Sequence, residues 1–164
     1  MTDNLLAVAT RLGGILASQH KQIAVAESCT GGMIAQTLTQ IAGSSAWFDR
    51  GFVTYSNAAK IQMLGVLPQT LNQYGAVSAE TALEMVSGTL FYSEADYAIA
   101  VTGIAGPGGG SVAKPVGTVF IAWGAKSGFK YCELEGFHGD RHEIRRQSTN
   151  RALAYWVNYF EGNG

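Results

Sequence analysis

Apolar residues recur at three- and four-residue steps through Leu5, Val8, Leu12, Ile15 and Leu16, the spacing of one face of an amphipathic helix, which Gly13 and Gly14 weaken slightly. A short unbroken run, Ile23-Ala24-Val25-Ala26, then stops at Glu27-Ser28-Cys29-Thr30-Gly31-Gly32. The helical period resumes at Met33, Ile34, Thr37, Leu38 and Ile41 and ends near Ala42-Gly43, so this region reads as strand, tight turn and helix. Aromatic and β-branched residues from Ala46 to Tyr55 predict a second strand, with Gly51 as a place where it can bend. Ser56 or Asn57 caps a helical segment from Ala58 to Leu64, which puts Lys60 in its first turn.

Further along, Pro68 and Gly75 punctuate a connector, and Ser78-Ala79-Glu80-Thr81 opens a helix with Ala82, Met85, Val86, Thr89 and Leu90 inward. Tyr97 to Val101 is a buried strand that runs into the glycine-rich stretch Thr102 to Ser111. Thr118 to Trp123 and Lys130 to Phe137 predict an antiparallel hairpin at the sheet edge. Asp140 and Glu143 form a capping-box-like start to the last helix, lined by Ile144, Ser148, Ala152, Trp156 and Tyr159. Strands alternating with helices predict an α/β fold.

Composition narrows the picture. The 164 residues suit one domain spanning 1–164, with 47% hydrophobic and 14% charged residues and a formal charge of −1. That charge gives no basic patch for a nucleic-acid backbone. The longest apolar runs fall short of a membrane-spanning helix, so no membrane partner is expected. Cys29 and Cys132 are too few for a disulfide framework, and no secretory leader opens the chain, which makes the cytoplasm the expected location. The 21 glycines point to tight turns or close backbone approaches to a small ligand.

Chemistry concentrates at two predicted strand ends. In an open α/β sheet the carboxyl ends of the strands line the binding crevice, which places Ser28, Cys29 and Thr30 at its mouth. The plainer reading is that Ser28 or Thr30 caps the following helix. Lys60 sits at the helix end where a cation is disfavoured; at the surface that has little consequence, but beside a pocket it depresses the amine's pKa towards that of a base. A serine with a neutral lysine is one of the known activated-nucleophile pairs. The Thr102 to Ser111 loop has neither the lysine-serine ending of a Walker motif nor Rossmann spacing, so it is either a mobile turn or a backbone cradle for an anion. Arg141 and Arg145 lie four apart on one helix side; Arg145 either meets a phosphate or pairs with Glu143 or Asp140.

Five ordered motifs carry a resemblance: Ala26-Glu27-Ser28-Cys29-Thr30-Gly31-Gly32, Gly43-Ser44-Ser45-Ala46-Trp47-Phe48, Gly51-Phe52-Val53-Thr54-Tyr55-Ser56-Asn57, Gly103-Ile104-Ala105-Gly106-Pro107 and Lys114-Pro115-Val116-Gly117-Thr118-Val119. Over nearly its whole length the chain resembles the CinA carboxy-terminal domain family, and within it the standalone members that deamidate nicotinamide mononucleotide. The resemblance implies a three-layer α/β/α sandwich with a mixed, mostly parallel sheet, a homodimer, no metal or other cofactor, and hydrolysis of a nucleotide carboxamide to a carboxylate and ammonia. Longer relatives carry an additional pyrophosphatase domain, for which this chain has no room. Where some relatives have an aspartate after the proline of the glycine loop, this chain has Gly108.

Residue reading and resemblance together assign Ser28 as nucleophile, Lys60 as base and Tyr55 as the residue that orients the pair or relays between them, with Thr102 also in the catalytic set. The oxyanion falls to amides near Gly31 and Gly32 or to the Thr102-Gly103 loop, with Thr30 at the same mouth. Arg145 and the Ser44-Ser45 turn are the candidates for the phosphate. Two other readings are a non-catalytic nucleotide-binding or regulatory module of the competence and damage-inducible type, and a cysteine hydrolase using Cys29.

Overall fold

A computed structural model describes residues 2–162, with side chains from Asn4 onward. Its elements are α1 (Thr2–Gln19), β1 (Ile23–Glu27), α2 (Met33–Thr39), β2 (Phe48–Val53), α3 (Asn57–Leu64), α4 (Pro68–Tyr74), α5 (Ala79–Phe91), β3 (Tyr97–Gly103), β4 (Thr118–Ala125), β5 (Lys130–Gly136) and α6 (Arg141–Phe160). A 3-10 turn over Ser44–Ala46 precedes β2.

The five strands form one sheet in the order β2-β1-β3-β4-β5. β1 pairs in parallel with β2 and β3, while β4 is antiparallel to both of its neighbours. Four strands therefore run one way and β4 alone runs back. This is the expected mixed, mostly parallel α/β sheet, with the expected hairpin at its edge.

The period-two alternation of the central strands sorts the side chains by size. Ile23, Val25, Ile99, Val101, Val119, Ile121 and Trp123 share a buried cluster with Leu12 and Leu16 of α1, Ile34 and Leu38 of α2, and Ile144, Leu153 and Trp156 of α6. The other face offers Ala26, Ala98, Ala100 and Ala122, packed against Leu64, Leu71, Met85 and Val86 of α3, α4 and α5. Methyl-sized side chains bring the second helical layer close. At Gly88 of α5 an added Cβ would fall 2.0 Å from the Leu64 carbonyl oxygen, so α3 is pressed onto α5 with no room for a side chain.

Local capping follows the sequence at the starts of α3, α5 and α6. Ser56 Oγ accepts from the Ala59 amide, Ser78 Oγ from the Thr81 amide, and Asp140 and Glu143 complete a reciprocal capping box. One expectation fails: Pro68 to Gly75 is not a connector but carries helix α4. Proline at the first helical position and glycine just past the last are helix-end signals as much as loop signals, and seven residues leave little periodicity to tell the two apart.

Candidate active site

Because β1 and β2 are adjacent and parallel, the residues just beyond them leave the sheet side by side. Ser28 leaves β1 with its amide bonded to the Val101 carbonyl, and Thr54 leaves β2 with its amide bonded to the Glu27 carbonyl. Three residues later α3 begins, and its first turn returns Lys60 over the sheet end. Lys60 is 1% exposed, and its Nζ lies 3.0 Å from Ser28 Oγ, 3.0 Å from the Thr54 carbonyl oxygen and 3.3 Å from that of Tyr55. Burial holds this amine below the usual lysine range; the nearby Cys29 thiol opposes the shift more weakly. A neutral amine has two N–H donors and one lone pair, and the three neighbours match that inventory: two carbonyls that accept and one hydroxyl that can donate.

Around this pair opens a cleft of about 290 Å³, with Ser28, Tyr55, Lys60, Thr102, Gly106 and Arg141 on its walls. No carboxylate is among its lining residues, and Arg141 is the charged side chain that biases the field inside towards anions. Arg141 donates from Nη1 to the Gly106 carbonyl at 2.6 Å and from Nη2 to the Tyr55 hydroxyl at 3.2 Å, which leaves the guanidinium's other N–H groups uncommitted. The amides of Cys29, Ala105, Gly106, Gly108 and Gly109, all on cleft-lining residues, donate to no acceptor among the described residues.

Several sequence assignments move. Tyr55 meets the pair through its main-chain carbonyl, which also lies 3.4 Å from Ser28 Oγ, while its side chain is 61% exposed and tied to Arg141. The phenol is therefore not a relay between Ser28 and Lys60. Thr102 borders the cleft, but its hydroxyl donates to the Ala76 carbonyl at 2.8 Å. Gly103 lines the cleft as expected. Thr30 lies behind the wall, fully buried, with a hydroxyl that has no partner among the described residues.

Neither Ser28 nor Thr30 caps α2, and the amides near Gly31 and Gly32 are spoken for. The buried Glu27 carboxylate accepts from the Gly32 and Ile34 amides at Oε1 and from the Ala35 amide at Oε2, while the Gly31 amide donates to the Ser28 carbonyl. That occupies the end of α2 that an oxyanion would need, and leaves the glycine loop, Cys29 and the Ala76-Val77 segment as the amide-bearing walls. In the sequence Glu27 is simply the last strand residue before the turn; a fully buried carboxylate at a helix start signals a cap only once the turn geometry is known.

The phosphate candidates also change. Arg145 donates from Nε to the Cys29 carbonyl and from Nη2 to the Thr30 carbonyl, so it braces the turn from behind and is not among the lining residues. Gly31, at φ +57°, allows that approach, since a Cβ there would sit 3.3 Å from Arg145 Nη2. Arg141, one turn earlier, is the arginine in the cleft. Ser44 and Ser45 precede β2 and lie at the opposite end of the sheet from Ser28, which comes after β1. Five strand residues at about 3.3 Å each put roughly 16 Å between those ends, too far for one small substrate.

Burial pushes the Cys29 thiol up to about 12, which disfavours the thiolate that a cysteine hydrolase needs. Among the described residues no group of three or more His, Cys, Asp or Glu side chains is placed to hold a metal ion, and no helix is long and apolar enough to cross a membrane.

Comparison with known proteins agrees with this architecture. A family model described as the CinA C-terminal domain matches residues 6–160. The nicotinamide-nucleotide amidohydrolase PncC of Escherichia coli K12 is 49% identical over 98% of this chain and 99% of its own length, and the protein of that name from Pseudomonas putida is 51% identical over 92% and 94%. A putative competence-damage inducible protein of Caldicellulosiruptor bescii is 49% identical over 85% of this chain but only 34% of its own length. The crystal structure of competence/damage inducible protein CihA from Agrobacterium tumefaciens superposes with a TM-score of 0.94 at 46% identity, covering 96% of both chains.

Proposed function

The chain belongs to the CinA C-terminal domain family, and from that premise we propose that it hydrolyses the carboxamide of nicotinamide mononucleotide to nicotinate mononucleotide and ammonia, with Ser28 as nucleophile and Lys60 as base. The observation that carries the mechanism is the 3.0 Å approach of a desolvated amine to Ser28 Oγ with no carboxylate on the cleft wall to keep that amine charged. The amidohydrolase relatives, matched nearly end to end, support the choice of substrate.

Ser28 Oγ attacks the amide carbon as Lys60 Nζ takes the hydroxyl proton. The tetrahedral oxyanion forms against unclaimed amides of the cleft wall. The C–N bond then breaks as Lys60 returns that proton to the departing nitrogen, which leaves as ammonia and leaves an acyl ester on Ser28. A water molecule attacks the ester with Lys60 again accepting a proton; Ser28 regains its hydroxyl and the pyridine carboxylate is released. The Thr54 and Tyr55 carbonyls hold Nζ on the Ser28 side throughout. Arg141 is the group for the 5′-phosphate, since it is the one cleft cation the chemistry does not use. Action as a metal-independent, cytoplasmic homodimer belongs to the same reading.

Ammonia release from nicotinamide mononucleotide, after exhaustive dialysis against chelator, tests it with Ser28→Ala alongside. Release by the parent protein and a loss of about 10³-fold or more in the variant is expected. Release by neither would leave a nucleotide-binding module as the reading.

A further inference from the structure

The connector between α4 and α5 walls the same cleft through Ala76 and Val77. Its main chain accepts hydrogen bonds at every carbonyl. Lys114 Nζ donates to the Tyr74 carbonyl at 3.3 Å and, more closely, to that of Val77. Ser78 Oγ and Thr81 Oγ1 donate to the Gly75 carbonyl at 2.9 and 2.7 Å, and Thr102 Oγ1 donates to that of Ala76. The donors are treated differently: the Gly75 amide bonds back to Leu71, but the amides of Ala76 and Val77 have no acceptor among the described residues. Main-chain donors beside a cleft usually find a partner in a ligand or in water.

The two long-range anchors come from different walls. Thr102 reaches the connector from the end of β3. Lys114 reaches it from the far side of the glycine loop, where Ser111 and Lys114 close a turn on each other: the Ser111 amide donates to the Lys114 carbonyl, and the Lys114 amide to Ser111 Oγ. That same loop supplies Gly106, Gly108 and Gly109 to the cleft. Lys114 thus fastens one wall to the other without lining the cleft itself.

Building on the functional reading above, we propose that Lys114 is a positioning residue for substrate binding: it holds the Ala76-Val77 segment so that its two unclaimed amides meet an oxygen of the substrate. The acceptor is an anionic or carbonyl oxygen, from either the phosphate or the carboxamide. Lys114 acts on affinity and leaves the Ser28–Lys60 chemistry alone, because its ammonium bonds only to the end of α4 and the connector among the described residues, and none of its partners is on β1 or α3.

The experiment compares Lys114→Met, which keeps the stem and loses the donors, with Lys114→Arg, which keeps donors at similar reach. In a Ser28→Ala background, the Kd for nicotinamide mononucleotide should rise about tenfold with Met and stay within about threefold with Arg. In the otherwise unaltered protein, Lys114→Met should raise KM by a similar factor and keep kcat within about threefold, and Ser28 should react with a small fluorophosphonate at an unchanged rate. A larger effect on nicotinamide mononucleotide than on nicotinamide riboside identifies the phosphate as the acceptor, and an equal effect identifies the carboxamide. An unchanged Kd overturns the proposal, as does a joint fall in labelling rate, kcat and melting temperature, which would mean that Lys114 only supports the fold. Failure of the parent protein to release ammonia would remove the functional reading but not this test, since the Kd comparison needs no turnover.

Discussion

Replacing Glu27 with Gln tests the turn on which the nucleophile sits. The carboxylate takes three amides of the α2 start, two on Oε1 and one on Oε2, with no exposure to solvent. A carboxamide keeps one oxygen, which can retain the Gly32 and Ile34 amides, but its NH2 group then faces the Ala35 N–H donor to donor. One charge-assisted hydrogen bond is lost, worth about 1.5–3 kcal/mol, and a buried donor is left unsatisfied at about 1–3 kcal/mol. Relaxation of the exposed side of α2 recovers part of this, so a net loss of about 3 kcal/mol is expected. For a chain of this length that lowers the melting temperature by about 6–12 °C. Urea unfolding should show the same loss as a lower midpoint at unchanged slope. A stability loss below about 1 kcal/mol would refute the argument, because the three amides would then have an equally good alternative to the carboxylate.

Lys60 makes both rate and stability depend on pH. The neutral amine is the working form, so kcat/KM should rise with pH and reach its plateau below the ordinary lysine value of 10.5; a profile still rising through 10.5 would count against Lys60 as base. In that window the unfolded chain binds the lysine proton more tightly than the folded one, so the destabilisation from burying Lys60 is full below the depressed folded value and disappears as pH approaches 10.5. Lys60→Met should remove that slope from urea-derived stability, together with most of kcat. For Arg141→Ala, KM for nicotinamide mononucleotide should rise about tenfold or more with little change for nicotinamide riboside, and equal losses on both would remove Arg141 from the phosphate. The two glycines of α1 should part company on thermal denaturation. Gly14→Ala, with nothing within 4 Å of its new Cβ, should gain about 0.5–1 kcal/mol, whereas Gly13→Ala, whose Cβ would fall 2.4 Å from the Trp47 ring, should lose about 1–3 kcal/mol. Equal shifts would mean that Trp47 has room to move.

The meeting of Ser28 with Lys60 was legible because it depends on two short-range facts, a strand ending at each site and a helix starting after Ser56, plus the adjacency of consecutive parallel strands. Choosing between Arg141 and Arg145 was not. Residues four apart share a helix side yet differ by about 6 Å along the axis, and which one reaches a cleft depends on where the helix starts relative to the sheet. The Ser44-Ser45 assignment overlooked direction: the segment entering one parallel strand lies far from the segment leaving its neighbour. Tyr55 shows a different limit, because a side-chain pattern carries no sign that the main-chain carbonyl is the functional atom. The anchoring of residues 74–77 by Thr102 and Lys114 spans 26 to 40 positions and leaves no periodic trace in the sequence.

The small-residue face of the sheet has a bearing on how such a protein can drift over generations. Lys60 rides on α3, α3 rests on α5 at Gly88, and this layer lies against Ala26, Ala98, Ala100 and Ala122. The distance between base and nucleophile is therefore fixed by layer thickness, a property of residues that never touch a substrate. An isolated Ala to Val exchange on that face would act as a shim under the helices, and compensating it would need a matching loss of volume on the facing helix. Selection for the reaction thus reaches into the hydrophobic core, far from any substrate contact, and ties distant apolar positions into sets that can change only together.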